Sequence, residues 1–209
     1  MSIETIKPFG PSIAKITIPS EIISGMNKYV EEVIEDEKRS KDLNYGNQLA
    51  GNVQQEFLLD IEFMKKINWG EFLGKVCQEW INKEHNISIK KFDIISSWIV
   101  RQFENEYNPI HYHDGQLSGV GYLKIPKNMN KNNVLKNKKI KTNGTIDFIN
   151  GSKMFLNESI YNHSPKVGDV LLFPNYLMHT AYPFSTSGER RSFSFNVEID
   201  KKIANIFSK

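Results

Sequence analysis

After Asn86 the sequence becomes a succession of short β-type segments, and this pattern limits the possible folds more than any other feature. The segments begin with KKFDIISSWIVRQF (90–103) and continue with LSGVGYLKI, TIDFI, GDVLLF and RRSFSFNVEI, which ends at residue 199. They are rich in β-branched and aromatic residues, with Gly, Pro and Asn turns between them. Many short strands with such turns predict an antiparallel sandwich or a jelly-roll barrel.

The first 85 residues are expected to form a helical flank, because most of their apolar residues recur at helical spacing. A short strand at 14–19, AKITIP, ends at a proline, and Ser20 is expected to cap the helix that follows. The residues that recur every three or four positions in that helix are Ile23, Met26, Val30, Val33 and Ile34. The turn-rich stretch at 44–57 is expected to be a loop.

A second helix is expected from about Asp60 to His85, and Gly70 and Gly74 suggest a break within it. Its expected buried face consists of Phe63, Ile67, Val76 and Trp80. The chain, residues 1–209, is therefore interpreted as a single domain. It is expected to be mainly β with N-terminal α-helices, and its β core should span residues 86–200.

Composition excludes several classes of protein. Charged residues make up 24% and hydrophobic residues 39%, which are ordinary values for a globular chain. No stretch approaches the ~18 uninterrupted apolar residues that a membrane span needs. The first residues, MSIETIKPFG, lack the pattern of a secretory signal, and Cys77 is the single cysteine, so an intrachain disulfide and a Cys-rich zinc site are excluded. We therefore expect a cytoplasmic protein without a membrane partner.

The positive charge is concentrated in one segment. Residues 127–143, KNMNKNNVLKNKKIKTN, contain six lysines and no acid, whereas the whole chain has a net charge of only +3. The segment is expected to be a loop inserted into the β core. It is either a solvated excursion or a basic lid or docking arm for an anionic substrate or partner. The small net charge does not indicate a nucleic-acid partner, although this loop leaves one open.

Three of the five histidines are candidate metal ligands. In NPIHYHDGQLSGVGYLKIP (108–126), an extended backbone would point His111 and His113 to one side and Tyr112 to the other. His179 follows the buried segment GDVLLF and would lie on a different strand. Imidazole is the commonest protein ligand of iron, copper and zinc. The pair alone would more often be structural, and His179 alone would be structural about as often as functional, but a third histidine on another strand is what a jelly roll needs to complete a metal site at its mouth.

The segment GERRSFSFN (188–196) predicts a strand with one polar face. Its polar face consists of Arg190, Ser192, Ser194 and Asn196, and its other face of Arg191, Phe193, Phe195 and Val197. An arginine can hold a carboxylate through two parallel hydrogen bonds, and a hydroxyl two residues on can add a third. An isolated arginine would usually form an exposed salt bridge. Beside three histidines, Arg190 and Ser192 are candidates for binding an organic acid.

Three further residues are given structural roles. His163, in YNHSPKVGD, is expected to lie in a turn. Trp98 and Arg101 lie on the strand before the histidine motif, where core and rim positions are expected and a place in the substrate pocket is the alternative.

Taken together, three segments resemble the Fe(II)- and 2-oxoglutarate-dependent oxygenase superfamily. The branch they resemble is a small one, common in phages and marine bacteria and distantly similar to prolyl 4-hydroxylases. The matching segments are NPIHYHDGQLSGVGYLKIP, GDVLLFPNYLMHTAYPF and ERRSFSFN, and NQLAGNVQQEF (47–57) resembles the N-terminal segment of that branch. The resemblance implies a double-stranded β-helix with helices packed against one sheet, and a phage protein of this kind would act in the cytoplasm of its host.

The resemblance also implies an iron site built from the first motif and His179. One departure concerns the ligand set, which is usually His-x-Asp or His-x-Glu with a distal histidine. Here the residue two positions after His111 is His113. We favour three histidine ligands, His111, His113 and His179. The alternative is a local bulge that brings in Asp114 in place of one histidine.

The resemblance implies that Arg190 and Ser192 bind the far carboxylate of 2-oxoglutarate. It also implies that Tyr122 corresponds to a strand tyrosine that reaches the same carboxylate. The implied reaction uses O2 and couples decarboxylation of 2-oxoglutarate to succinate and CO2 with hydroxylation of a C–H bond. The primary substrate is unknown; a peptidyl proline is the first candidate, and free amino acids, nucleobases and other small molecules are alternatives. The alternatives are a three-histidine cupin-type dioxygenase that does not use 2-oxoglutarate, and a β-barrel binding module without catalytic activity.

Overall fold

The computed structural model describes residues 3–6, 10–129 and 142–204. Its strands are β1 (Glu4–Ile6), β2 (Ile13–Thr17), β3 (Gln55–Leu58), β4 (Phe92–Gln102), β5 (Asn108–His111), β6 (Leu117–Lys124), β7 (Ile146–Ile149), β8 (Ile160–His163), β9 (Asp169–Pro174), β10 (Met178–Ala181) and β11 (Arg190–Ile199). Its helices are α1 (Ser20–Glu35), α2 (Glu37–Asp42), α3 (Ile61–Lys66), α4 (Trp69–His85) and α5 (Lys201–Ala204), with a 3-10 turn at Gly46–Gln48. Most of the predicted lysine-rich loop, residues 130–141, lies outside the described residues.

The strands form two antiparallel sheets. The large sheet has seven strands in the order β1-β2-β9-β6-β11-β4-β3, and the small sheet has four in the order β5-β10-β7-β8. Neighbours in each sheet are mostly distant in sequence, as they are in a jelly roll rather than in a meander. The predicted fold class, mainly β with a jelly-roll core, is confirmed.

Helices cover one face of the large sheet and the small sheet covers the other. The cluster on the helix side includes Val30, Trp69, Val76, Trp80, Val170, Leu172, Phe193 and Phe195. On the opposite side, Leu171 and Phe173 of β9 pack with Ile146 and Phe148 of β7. Because alternate residues of a strand face opposite ways, the continuous apolar run of β9 supplies both clusters. The expected packing of helices against one sheet is thereby explained.

Two glycines of β6 allow close contact with β11. The ring of Phe193 lies 2.1 Å from the position that a Cβ of Gly121 would occupy, and the ring of Phe195 lies 2.4 Å from that of Gly119. A side chain at either glycine would therefore displace a buried aromatic ring. Both rings also make T-shaped contacts with Trp69 of α4, with centroid distances of 5.1 and 6.0 Å. The alternating glycines of LSGVGYL thus serve packing between sheet and helix.

The N-terminal region differs from its prediction. The strand predicted at 14–19 is present as β2, but β1 and β3 also join the large sheet, so this region is more than a helical flank, and the predicted loop at 44–57 ends in β3. Short strands like these gain stability by pairing with neighbours, which a local pattern does not reveal. The interpretation of the whole chain as one domain stays a prediction.

The observed helix ends also differ from the predicted ones. Ser20 is the first residue of α1 rather than its N-cap, and the preceding Pro19 makes no side-chain cap. The break in the second helical region lies at Asn68, whose φ of 52° is left-handed, whereas Gly70 and Gly74 lie inside α4. Asparagine adopts that conformation more readily than other non-glycine residues.

None of the helices in the described part of the chain is both long enough and apolar enough to cross a bilayer.

His163, predicted in a turn, is instead the last residue of β8. Its Nε2 lies 3.1 Å from a carboxylate oxygen of Asp169, the first residue of β9. Both side chains are buried, so this histidine is a structural contact between the two sheets.

Candidate active site

The structure brings His111, His113 and His179 together. His111 on β5 and His179 on β10 are directly paired across the small sheet, so their rings project to the same side. His113 follows two residues after the end of β5. The ring centroids of His179 lie 4.3 Å from His111 and 4.8 Å from His113, and one ligand atom from each of the three rings lies within 4.8 Å of the others. Such a cluster can hold one metal ion.

Hydrogen bonds fix which ring nitrogen is available. The Nδ1 atoms of His111 and His179 each donate to the backbone carbonyl two residues earlier, at 2.7 and 2.9 Å. Nδ1 of His113 donates to the side-chain oxygen of Asn196 on β11 at 2.9 Å, and that oxygen also accepts a hydrogen bond from Ser118. Because Nδ1 of each ring is the donor, each neutral ring keeps a lone pair on Nε2. Metal-binding histidines commonly have this arrangement.

Burial keeps the three rings uncharged near neutral pH. Desolvation lowers the pKa of His111, lowers that of His113 to about 4, and takes that of His179 well below its ordinary value. Proximity of the rings adds to the effect, because a proton on one imidazole disfavours a proton on its neighbour. Neutral imidazole is the form that coordinates a metal. Asp114 also lines the site, but it is exposed and is not part of the three-residue cluster.

A buried cation lies in the same cavity as the histidines. Arg190, at the start of β11, is only 3% exposed. Its Nη1 donates to the carbonyl of Gly144 at 2.8 Å and its Nη2 donates to the side-chain oxygen of Gln102. Among the described residues its Nε is buried without a partner, and its hydrogen bonds go to neutral groups and not to a carboxylate. Burial lowers the pKa of Arg190, as expected for a cation that lacks a nearby anion.

Two hydroxyl groups share this end of the cavity. Tyr122 on β6 and Ser192 on β11 are directly paired across the large sheet, so their side chains lie on the same face as Arg190. Burial raises the pKa of Tyr122 to about 12, and the phenol therefore stays protonated and can donate a hydrogen bond. An uncompensated guanidinium with two neutral donors beside it is suited to bind a carboxylate.

These groups line one cavity of about 220 Å³ between the two sheets. The residues around it are Tyr45, Gln48, Leu49, Ala50, Trp98, Val100, Asn108, His111, Tyr112, His113, Asp114, Val120, Tyr122, Ile146, His179, Ala181, Arg190, Ser192, Ser194 and Asn196. The polar face predicted for β11 therefore faces the cavity along its whole length. Trp98 is buried and lines the cavity, whereas Arg101 forms an ion pair with Glu189.

Sequence reasoning did not identify two residues that hold the site together. Asn196 was placed on the correct face of β11 but was given no role, although its side chain fixes His113. Gln102 lies on the cavity-facing side of β4, and its amide nitrogen donates to the carbonyls of Glu106 and Tyr182. Its position at an even spacing from Trp98 was the one signal in the sequence for that orientation.

The residues present fit an iron ion and a small dicarboxylate. Three neutral imidazoles with directed Nε2 atoms suit a divalent transition metal and leave coordination positions free for other ligands. The orphaned Nε of Arg190 and its lack of an anionic partner among the described residues suit one carboxylate of the co-substrate. A site of this kind has a metal at one end and an anion receptor at the other.

Comparison with known proteins agrees with this geometry. The family model of the 2OG-Fe(II) oxygenases matches residues 96–196, a region that contains the three histidines, Tyr122 and Arg190. No curated protein matches this sequence.

Solved structures share the fold at low sequence identity. A prolyl-4-hydroxylase from Pseudomonas putida has a TM-score of 0.58 at 12% identity, covering 88% of this chain and 91% of its own. The viral collagen prolyl hydroxylase of Paramecium bursaria Chlorella virus-1, in complex with 2OG, has a TM-score of 0.54 at 18% identity, covering 88% and 94%. Iron-bound HygX from Streptomyces hygroscopicus has a TM-score of 0.56 at 12% identity, covering 89% and 81%. At these identities the likeness establishes the fold.

Proposed function

Since the chain belongs to the 2OG-Fe(II) oxygenase superfamily, and is a dioxygenase that uses Fe(II) and 2-oxoglutarate, we propose that His111, His113 and His179 hold its iron. Arg190 binds the far carboxylate of 2-oxoglutarate. The observation that carries this assignment is that a buried arginine without an anionic partner among the described residues shares one cavity with three neutral histidines. A buried guanidinium without an anionic partner is unfavourable for folding until a ligand compensates its charge.

When bound, Fe(II) and 2-oxoglutarate together reduce O2, so that one oxygen atom leaves in succinate as CO2 is released and the other becomes a hydroxyl on a substrate carbon. The protein orients the reactants. Arg190 donates to the distal carboxylate, and Tyr122 and Ser192 add neutral hydrogen bonds to it. Asn196 holds the ring of His113 so that its Nε2 points into the cavity. The ring of Trp98, centred 5.6 Å from that of His113, helps to exclude water.

Two other functions account for less of the structure. A three-histidine cupin-type dioxygenase would explain the histidines but would leave the buried charge of Arg190 without a purpose. A binding module without catalytic activity would have no reason to direct three Nε2 atoms at one point. The first substrate candidate, a peptidyl proline, has the support that two of the compared proteins are prolyl hydroxylases, and for this chain it stays a proposal.

The decisive test of co-substrate binding is an anaerobic titration of the Fe(II)-loaded protein with 2-oxoglutarate. We expect an absorption band in the green region, from charge transfer between iron and the bound keto acid. Arg190→Ala should weaken 2-oxoglutarate binding by about 100-fold, which is about 2.7 kcal/mol. Its iron content should be unchanged, because the arginine does not contact the metal cluster. The proposal is wrong if the titration produces no band, or if the variant binds 2-oxoglutarate normally.

The ligand set is tested separately by iron content. His113→Ala and His179→Ala should each lose most of the bound iron, since two imidazoles hold a divalent ion weakly. Asp114→Ala is the matched control and should retain it. Loss of iron from the aspartate variant together with retention in His113→Ala would show that the bulged alternative is correct.

A further inference from the structure

Glu56 is a buried carboxylate that the proposed reaction does not use. It is 1% exposed, and both of its carboxylate oxygens are buried without a hydrogen-bond partner among the described residues. It lies on β3 directly opposite Val100 of β4, which lines the active-site cavity. Since directly paired residues share a face, the side chain of Glu56 points toward the side of the sheet on which the cavity lies.

A second unpartnered acceptor lies beside it. The side-chain oxygen of Asn108, on β5, is also buried and has no hydrogen-bond partner in the part of the chain that the structure describes, and Asn108 lines the active-site cavity. This oxygen and Oε1 of Glu56 lie 3.1 and 3.2 Å from the position that a Cβ of Gly51 would occupy. Because Gly51 has no side chain, the oxygens of Asn108 and Glu56 can lie close to its backbone. The preceding residue, Ala50, lines the cavity.

The nearby Glu106 shows how this protein satisfies a carboxylate that serves the fold. One oxygen of Glu106 accepts the backbone N–H of Gln54 at 3.3 Å, and the other accepts that of Phe103 at 2.9 Å. Glu56 has no equivalent donors within the described ranges 3–6, 10–129 and 142–204. Burial, reinforced by the negative charge of Glu106, raises the pKa of Glu56 to about 7. A positively charged ligand would remove the cost of leaving this carboxylate unpaired.

We propose that Glu56 and Asn108 bind a primary ammonium group of the substrate. The three unpartnered oxygen atoms match the three N–H donors of an ammonium, and the single negative charge of the carboxylate matches its charge. A hard divalent metal ion needs six or so oxygen ligands, usually with several carboxylates. Among the described residues the histidine cluster is the one group of three side chains arranged to hold a metal.

This inference rests on the proposed function and narrows its substrate class. The substrate would be an amine, such as an amino acid, an amino sugar or a lysine side chain, whose ammonium group is held beside the iron-containing cavity. A peptidyl proline has no such group of its own. Asn108 is three residues before His111 on the same strand, so the ammonium site and the metal site have a fixed separation. That separation would select which carbon of the amine is hydroxylated.

The test measures binding of n-butylammonium by calorimetry to the anaerobic protein loaded with Fe(II) and 2-oxoglutarate. We expect saturable binding that weakens at least tenfold in Glu56→Gln. n-Butanol lacks the charge and tetramethylammonium lacks the N–H donors, so neither should bind comparably. The proposal is overturned if n-butylammonium does not bind, if it binds Glu56→Gln equally well, or if n-butanol or tetramethylammonium binds as tightly.

Two further variants separate a ligand site from a structural role. Gly51→Ala adds a methyl group next to both acceptors and should weaken n-butylammonium binding several-fold. Glu104→Gln removes an exposed carboxylate two residues before Glu106 and should leave binding unchanged. Glu56→Gln should unfold at the same temperature as the unaltered protein or higher, because it removes an unpaired buried charge. A clear fall in its Tm would overturn the proposal by showing that the carboxylate has a partner within the protein.

The green absorption band distinguishes failure of the ammonium site from failure of the proposed function. If 2-oxoglutarate produces the band and n-butylammonium fails to bind, the ammonium site is wrong and the iron assignment stands. If the band fails to form, the proposed function itself is wrong, whatever the result with n-butylammonium.

Discussion

Arg190 and Arg191 are neighbours on β11 and are 3% and 1% exposed, yet among the described residues only Arg191 has carboxylates that compensate its charge. Arg191 donates to both carboxylate oxygens of Glu189, at 2.7 and 3.0 Å, and to Glu31 at 2.7 Å. Arg190 donates to neutral groups alone among the described residues. Burial lowers the pKa of both guanidiniums, but the ion pairs of Arg191 outweigh burial and raise its pKa, whereas that of Arg190 stays lowered.

The difference follows from the alternation of side chains along one strand. Arg191 faces the helices, and its ion pairs join β11 to α1, so its charge serves the fold. Arg190 faces the cavity, and among the described residues its charge has no anionic partner, so it is available to an anionic ligand. Removing one partner of a buried ion pair is strongly destabilising because the other charge is left unpaired, whereas a buried cation that has no partner costs stability until a ligand binds. Changing each arginine should therefore affect different measurements.

The largest expected effect is on stability. Arg191→Met removes the positive charge beside Glu189 and should lower the free energy of unfolding by about 3 kcal/mol, as expected when one partner of a buried ion pair is removed. Arg101 and Lys124 still contact Glu189 and limit the loss. Urea denaturation at neutral pH measures the change. The affinity for 2-oxoglutarate should stay the same, and a large fall in that affinity would contradict the division between the two faces.

The same ion pairs predict how stability depends on acid. Burial alone would raise the pKa of Glu189, but hydrogen bonds from Arg191 and Arg101 outweigh it and lower that pKa to about 2. Because the folded-state pKa is below the unfolded-state value, this stabilisation is complete above about pH 4.5. It is lost as the pH falls toward 2. In Arg191→Met the loss between these pH values should be smaller, and an unchanged acid profile would show that Arg191 does not control Glu189.

The next effect comes from making Arg190 resemble Arg191. Gln102→Glu places a carboxylate beside the guanidinium and should weaken 2-oxoglutarate binding by about tenfold, or about 1.4 kcal/mol, because the co-substrate must compete with it. The green absorption band gives the dissociation constant. Gln102→Leu is the control, since it also removes the amide N–H donors to the carbonyls of Glu106 and Tyr182 but adds no charge. Equal effects of the two variants would mean that Gln102 acts by packing rather than by keeping Arg190 uncompensated.

Local patterns were sufficient for some parts of this comparison. Alternation along 190–197 predicted both faces of β11, and the spacing of His111 and His113 predicted that their rings would point together. Strands β9 and β11 are long and strongly apolar or alternating, so their type was readable from a few residues. The order of motifs along the chain then indicated the fold family.

Contacts between distant residues could not be read from local patterns. The pair Gln102–Arg190 joins residues that are 88 positions apart, and His113–Asn196 joins residues 83 positions apart. Such pairs depend on the register between strands, which is set by the whole sheet. The role of Glu56 was also not predicted, because a glutamate in a turn-rich segment is ordinarily exposed, whereas here it is buried on β3, which pairs with the distant β4.

The smallest effect should come from Ser192, which shares the Arg190 face but carries no charge. Ser192 pairs directly with Tyr122 across the large sheet, and its hydroxyl can donate one neutral hydrogen bond to the carboxylate that we propose Arg190 binds. Ser192→Ala should therefore weaken 2-oxoglutarate binding by about fivefold, close to the ~1 kcal/mol of a typical neutral hydrogen bond. Ser194→Ala, two residues further from Arg190 on the same face, should change the affinity by less than twofold. If the two serine variants behave alike, the carboxylate does not reach Ser192, and Arg190 holds it with Tyr122 alone.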